Sequence, residues 1–154
     1  MIRKYGWIAL TELLADQAVK QLARTLNGSL VMIPGVLAFT YAENTGMAFS
    51  LLSGQSWLLG VVSAAVILIG YLVLRRYRLG TLASVAAMLM LGGAAGNMID
   101  RLVHGYVVDM FEVLLFRFAI FNVADAALTV GCVLMAVSLL LRPDDWSEKK
   151  HGST

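Results

Sequence analysis

Three long apolar runs dominate the chain, at residues 56–74, 79–99 and 118–141. The first two carry no charge, and the third carries only Asp125, near its start. At about 1.5 Å of rise per residue, runs of this length reach most of the way across a ~30 Å hydrocarbon core, so each predicts a membrane-spanning helix. Residues 5–26 read as a further helix with a different pattern. Glu12, Asp16, Lys20 and Arg24 recur at every fourth position. That spacing puts them on one face, acids before bases, the favourable order for ion pairs and for the helix dipole. A cleaved leader beginning at Arg3 and Lys4 is the competing reading. Its apolar stretch from Ile8 is broken by Glu12, and no small-x-small cleavage site follows, so the pattern favours a retained span with a polar stripe facing the bundle.

Between the first two spans the period changes. Asn27-Gly28-Ser29 signals a turn. The Val-, Ile- and Leu-rich stretch after it is too short to cross a membrane and is broken by Pro34-Gly35, so it predicts strands bent at that dipeptide. Asn44-Thr45-Gly46 suits a polar turn. Residues 28–50 are therefore expected to form a small β-like element on one membrane face. The stretch from Met110 to Ala124 is ambiguous between strand and helix. The expectation is a short hairpin folding one aspartate towards another. The tail, residues 142–154, is polar and expected to be disordered.

Composition agrees with the pattern. Of 154 residues, 59% are hydrophobic and 14% charged, against about 25% charged in a soluble domain. One membrane domain over residues 1–154 is the consequence, and a net charge of +2 gives no reason to expect a nucleic-acid partner. Cys132, the single cysteine, excludes a disulfide framework. Charge also sets the orientation. Arg3, Lys4, Arg75, Arg76, Arg78, Arg142, Lys149 and Lys150 fall on one side of a four-span chain, and only Lys20, Arg24, Arg101 and Arg117 fall on the other. The positive-inside rule places both termini in the cytoplasm.

This topology brings Asp16, Lys20, Asn97, Asp100, Arg101, Asp109 and Asp125 to the outer leaflet. Carboxylates at such depth are costly and demand a role. Serine chemistry lacks a base other than His104 and lacks a Gly-x-Ser-x-Gly elbow. Cys132 reads as a packing residue, and no ligand spacing supports a metal. A carboxylate pair remains. Two nearby carboxylates do not both ionise easily, so one keeps a proton while the other acts as base. Asp109, after the extended run Tyr106-Val107-Val108, and Asp125, between Ala124 and Ala126, are the pair expected. Asp100 beside Arg101 reads as a charge-paired structural residue at a helix end, and Asp16 with Lys20 as a structural ion pair. Asn44, Asn97 and Asn122 fit either as turn and cap residues or as groups that orient the aspartates. The rival class is a small proton- or ion-coupled transporter subunit. Such a relay needs polar groups through the whole membrane depth, and the second span has none.

Five blocks carry a resemblance. Asp16-Gln17-x-x-Lys20, Asn44-x-Gly46-x-Ala48-Phe49, Gly92-Gly93-x-x-Gly96-Asn97-x-Ile99-Asp100-Arg101, Gly105-x-Val107-Val108-Asp109 and Phe121-Asn122-x-Ala124-Asp125 resemble, in order, the motifs of lipoprotein signal peptidases (signal peptidase II). The resemblance implies an all-α enzyme of the bacterial inner membrane with four transmembrane helices and an outer-face β-cradle. It implies an aspartyl endopeptidase that cuts prolipoprotein signal peptides just before a diacylglyceryl-modified cysteine. It places catalysis on Asp109 and Asp125, with Asp16, Lys20, Asn44, Gly46, Asn97, Asp100, Arg101 and Asn122 in support. It implies no cofactor and no metal, membrane lipid as surroundings, and globomycin-type peptides as inhibitors. Three positions depart from the family pattern. Ala126 stands where serine is usual, Met47 where a small residue is common, and Met110 where phenylalanine is usual.

Overall fold

A computed structural model describes residues 2–46 and 52–148. The described residues form four α-helices and five short strands. They are α1 (Ile2–Arg24), β1 (Leu30–Ile33), β2 (Leu37–Asn44), α2 (Ser56–Leu74), β3 (Tyr77–Leu79), α3 (Thr81–Val103), β4 (Val107–Val113), α4 (Val123–Leu141) and β5 (Trp146–Glu148). Three of the helices, α2, α3 and α4, are long and apolar enough to cross a membrane. They carry large exposed apolar side chains such as Val66, Ile69, Val133 and Leu140, the surface a bilayer covers. The protein is a helix-rich membrane protein with a small sheet.

α3 is the central helix and packs against α1, α2 and α4. Its sequence explains this. Ala83, Ala86, Ala87, Gly92, Gly93 and Gly96 are buried along its length, and small residues let backbones approach where no hydrophobic effect drives association. α2 makes the opposite case. It is apolar all round, and only Ser56, Leu59 and Gly60 are buried in it.

β1, β2 and β4 form an antiparallel sheet in that order. Gly35, at φ +70°, makes the β1–β2 turn that Pro34-Gly35 predicts. β2 and β4 pair from Leu37↔Val113 to Asn44↔Val107, with an irregularity between Phe39 and Ala42. Phe39, Val108 and Met110 pack on Ala23 of α1, which seats the sheet on the end of that helix. At the other end of the bundle, β3 pairs with β5.

Several boundaries differ from the sequence expectation. The first helix runs from Ile2 to Arg24 rather than over 5–26. α3 covers 81–103 rather than 79–99, so Asp100 and Arg101 lie inside it. α4 begins at Val123 rather than 118, because Phe121 pairs with Phe111 of β4. Asp109 sits in a strand, as the extended run before it suggests, and that strand completes the sheet begun by β1 and β2. Residues 143–148, expected to be disordered, are structured, because Trp146 stacks edge-on against Tyr77 at 6.0 Å and donates its indole N–H to Ser138 Oγ at 3.1 Å. Met47 and the rest of 47–51, like 149–154, lie outside the described residues.

Candidate active site

The site forms where the C-terminal ends of α1 and α3 meet β4 and the start of α4. Asp125 is placed by a local device. Asn122 is the N-cap of α4, and its side-chain oxygen accepts the Asp125 N–H at 2.8 Å. The Asn122 N–H donates back to Asp125 Oδ2 at 3.3 Å, completing a reciprocal capping box. Asp109 is placed by the sheet. It pairs with Ala42 of β2 and is 3% exposed.

Three asparagine amides hold the two carboxylates. Asn122 Nδ2 donates to Asp109 Oδ1 at 2.7 Å and to Asn97 Oδ1 at 3.2 Å. Asn97 Nδ2 donates to Asp125 Oδ1 at 2.8 Å. Asn44 Nδ2 donates to Asp109 Oδ2 at 3.0 Å, while its oxygen accepts the Gly46 N–H at 3.0 Å. Asn44 and Asn122 are thus turn and cap residues that also orient the aspartates. Asn97, in mid-helix, only orients.

Asp109 and Asp125 face one cavity of about 580 Å³ together with Asn44, Asn97 and Arg101. Its remaining wall is apolar apart from Thr129 and includes Phe118, Phe121, Ala126 and Leu128. Arg101 donates from Nη2 to the Gly46 carbonyl at 3.1 Å, pinning the turn after β2. Burial pushes the Asp109 carboxyl up to about 6, with nearby Asp125 acting in the same direction and Asn44, Asn122 and Lys20 acting against it.

Beneath this layer lies a buried ionic network. Lys20 Nζ is 2.7 Å from Asp16 Oδ2 and 3.0 Å from Asp100 Oδ2. The Asp16–Lys20 pair is the one its spacing predicts. Asp100 pairs with Lys20 rather than Arg101, because adjacent helix residues point apart and Asp100 faces α1. Lys20 also donates to Asn97 Oδ1 at 3.0 Å, so the lower network touches the upper one. Gln17, to which the sequence reading gave no role, donates to Asp16 Oδ2 at 3.3 Å and Asp100 Oδ1 at 3.2 Å. Its place beside Asp16, one residue round the polar stripe, was the available signal. Among the described residues no cluster of three His, Cys, Asp or Glu is arranged to hold a metal ion.

The comparisons with known proteins converge. The family model described as "Signal peptidase (SPase) II" matches residues 8–141. The lipoprotein signal peptidase of Latilactobacillus sakei is 43% identical over 142 residues, covering 90% of this chain and 94% of that protein. The lipoprotein signal peptidase of Bacillus subtilis is 40% identical over 153 residues, covering 96% and 98%. A bacterial membrane enzyme solved by the in meso method at 2.3 Å resolution superposes with a TM-score of 0.84 at 28% identity, over 99% of this chain and 96% of the other. A second, solved at 1.9 Å, gives a TM-score of 0.80 at 29% identity, over 92% and 96%. This chain belongs to the signal peptidase II family of aspartic-type peptidases.

Proposed function

We propose that this chain removes the signal peptide from diacylglyceryl-modified prolipoproteins, cutting on the N-terminal side of the lipidated cysteine. Asp109 and Asp125 are the catalytic residues. The observation that carries this reading is Asn122, which donates to Asp109 through its side chain and to Asp125 through its backbone. One residue ties two carboxylates from different elements to the same cavity.

In this reading Asp109, whose carboxyl is pushed up to about 6, supplies the shared proton. Its O–H donates to the scissile carbonyl. A water between the two side chains gives a proton to Asp125 as its oxygen attacks the carbonyl carbon. Collapse of the tetrahedral intermediate breaks the C–N bond, and the leaving nitrogen takes up a proton from the pair. Amide donors that are already aimed cost no reorganisation as charge shifts. Arg101 and Asn44 line the same cavity and support substrate binding beside the pair.

The chain sits in the bacterial cytoplasmic membrane, with four spanning helices, both termini in the cytoplasm and the site at the outer face. The basic residues that follow α2 and α4 support that orientation. A signal peptide is itself an apolar helix, so it reaches the apolar wall of the cavity from the bilayer. A transporter fits less well, because α2 brings no charge to a relay. The test is cleavage of a purified diacylglyceryl-modified prolipoprotein. Asp109→Asn and Asp125→Asn should each abolish cleavage without loss of fold. Full activity in either folded variant refutes the assignment.

A further inference from the structure

Lys20, Asp16 and Asp100 are each 0% exposed, yet none lines the cavity. An ion pair this deep is weak evidence of stabilisation, since well-packed apolar groups of equal volume often serve as well or better. What the network grips is more telling. Asp16 Oδ1 accepts the backbone N–H of Ala124 at 2.9 Å, and Ala124 immediately precedes Asp125. Asp100 Oδ2 accepts the backbone N–H of Val108 at 3.3 Å, and Val108 immediately precedes Asp109. Lys20 holds the two gripping carboxylates together, at 2.7 and 3.0 Å. Gln17 ties them a second time.

We infer that Lys20, through Asp16 and Asp100, is a positioning residue that sets the separation of Asp109 and Asp125. Each arm holds the peptide N–H just before one catalytic aspartate, and Lys20 is the joint between the arms. A third branch acts on orientation. Lys20 and Asn122 both donate to Asn97 Oδ1, which turns Asn97 Nδ2 towards Asp125. Lys20 therefore governs both the spacing of the pair and the direction of one of its hydrogen bonds, without touching substrate.

This inference rests on the reading of Asp109 and Asp125 as the catalytic pair, and its test keeps the two apart. Lys20→Met with Asp16→Asn removes one positive and one negative charge at near-constant volume, so the net charge of the network is unchanged. Asp100→Asn separately loosens the arm to β4 and leaves the Asp16–Lys20 pair in place. Both full-length variants are assayed in detergent on a diacylglyceryl-modified prolipoprotein, with melting curves, beside Asp109→Asn and Asp125→Asn. The double variant is expected to lose about a hundredfold in kcat, the effect of misplacing reacting groups by about 1 Å. Its KM should stay within about twofold, because neither substituted residue lines the cavity. Asp100→Asn should lose about tenfold in kcat, also at constant KM. A kcat within about threefold of wild type in the folded variants, or failure of both to fold, overturns the inference and leaves the network a stabiliser of the fold. If the aspartate variants themselves retain cleavage, it is the catalytic reading that fails.

Discussion

Replacing Gly93 by alanine should damage catalysis from outside the cavity. Gly93 lies on the face of α3 that packs against α4. A Cβ there would sit 2.5 Å from the carbonyl oxygen of Ala124 and 3.1 Å from Leu128 Cγ. The oxygen belongs to backbone and has no rotamer to escape into. Ordinary contact starts at 3.4 Å, so α4 has to retreat by about 0.9 Å locally. Ala124 precedes Asp125, whose Oδ1 lies 2.8 Å from Asn97 Nδ2 on the stationary helix. A retreat of that size stretches the bond beyond the usual ~3.2 Å limit. Over-packing of this kind costs about 1–3 kcal/mol, a fall in Tm of roughly 2–12 °C. The displacement of Asp125 should lower kcat by about a hundredfold. The assay is initial-rate cleavage of a lipidated prolipoprotein, with melting followed in the same detergent. Gly70→Ala is the control, since nothing lies within 4 Å of its Cβ position on α2. It should leave cleavage unchanged and stabilise the helix by up to ~1 kcal/mol. Folded Gly93→Ala with kcat within about twofold of wild type would show that the α3–α4 contact does not set the position of Asp125.

Acidity and capping give two further predictions. With Asp109 holding a proton up to about pH 6, the kcat/KM profile should fall as pH rises through that value. Asn44→Leu removes a hydrogen bond that favours the ionised carboxylate, so the descending limb should move to higher pH; an unmoved limb would detach Asn44 from Asp109. The same upward displacement makes stability fall with rising pH. It favours the fold below the ordinary carboxyl value of 3.8, and that contribution is lost as pH rises through about 6. Asn122→Ala should lower stability by about 0.5–2 kcal/mol through loss of the cap and should also stop cleavage. Asn122→Ser keeps an acceptor for the cap but no amide for Asp109. It should recover most of the stability and little of the activity, and recovery of both would remove Asn122 from the catalytic layer.

The apolar runs were legible because a bilayer asks for length and hydropathy more than for pattern, and α2 matches residues 56–74 to the residue. Helix ends were less legible where polar residues belong to the fold. α3 continues past Ile99 because Asp100 has Lys20, Gln17 and the Val108 N–H as partners. In the sequence the same residues look like the end of a span. The stretch around Asp109 became a strand because β2 was there to pair with it, a choice made by tertiary contact rather than by local preference. Pairing partners were the least visible feature. Asp100 has Arg101 next to it in sequence and Lys20 across the helix interface, and its ion pair is with Lys20.

Why the buried polar residues collect here follows from the solvent. A helix start leaves its first amide groups without helical partners, and at membrane depth little water is available to satisfy them. Ala124 lies in the first turn of α4 and Val108 is the second residue of β4; both residues are buried and both N–H groups end on aspartates of the lower network. Asp125, in the same first turn, has its N–H covered by Asn122. Aspartate and asparagine are therefore required at this junction whatever the reaction. The same junction is where element ends leave a gap beside two carboxylates. An apolar chain has few other places to keep such groups, so the backbone needs of the fold and the acids of the proposed reaction occupy one place.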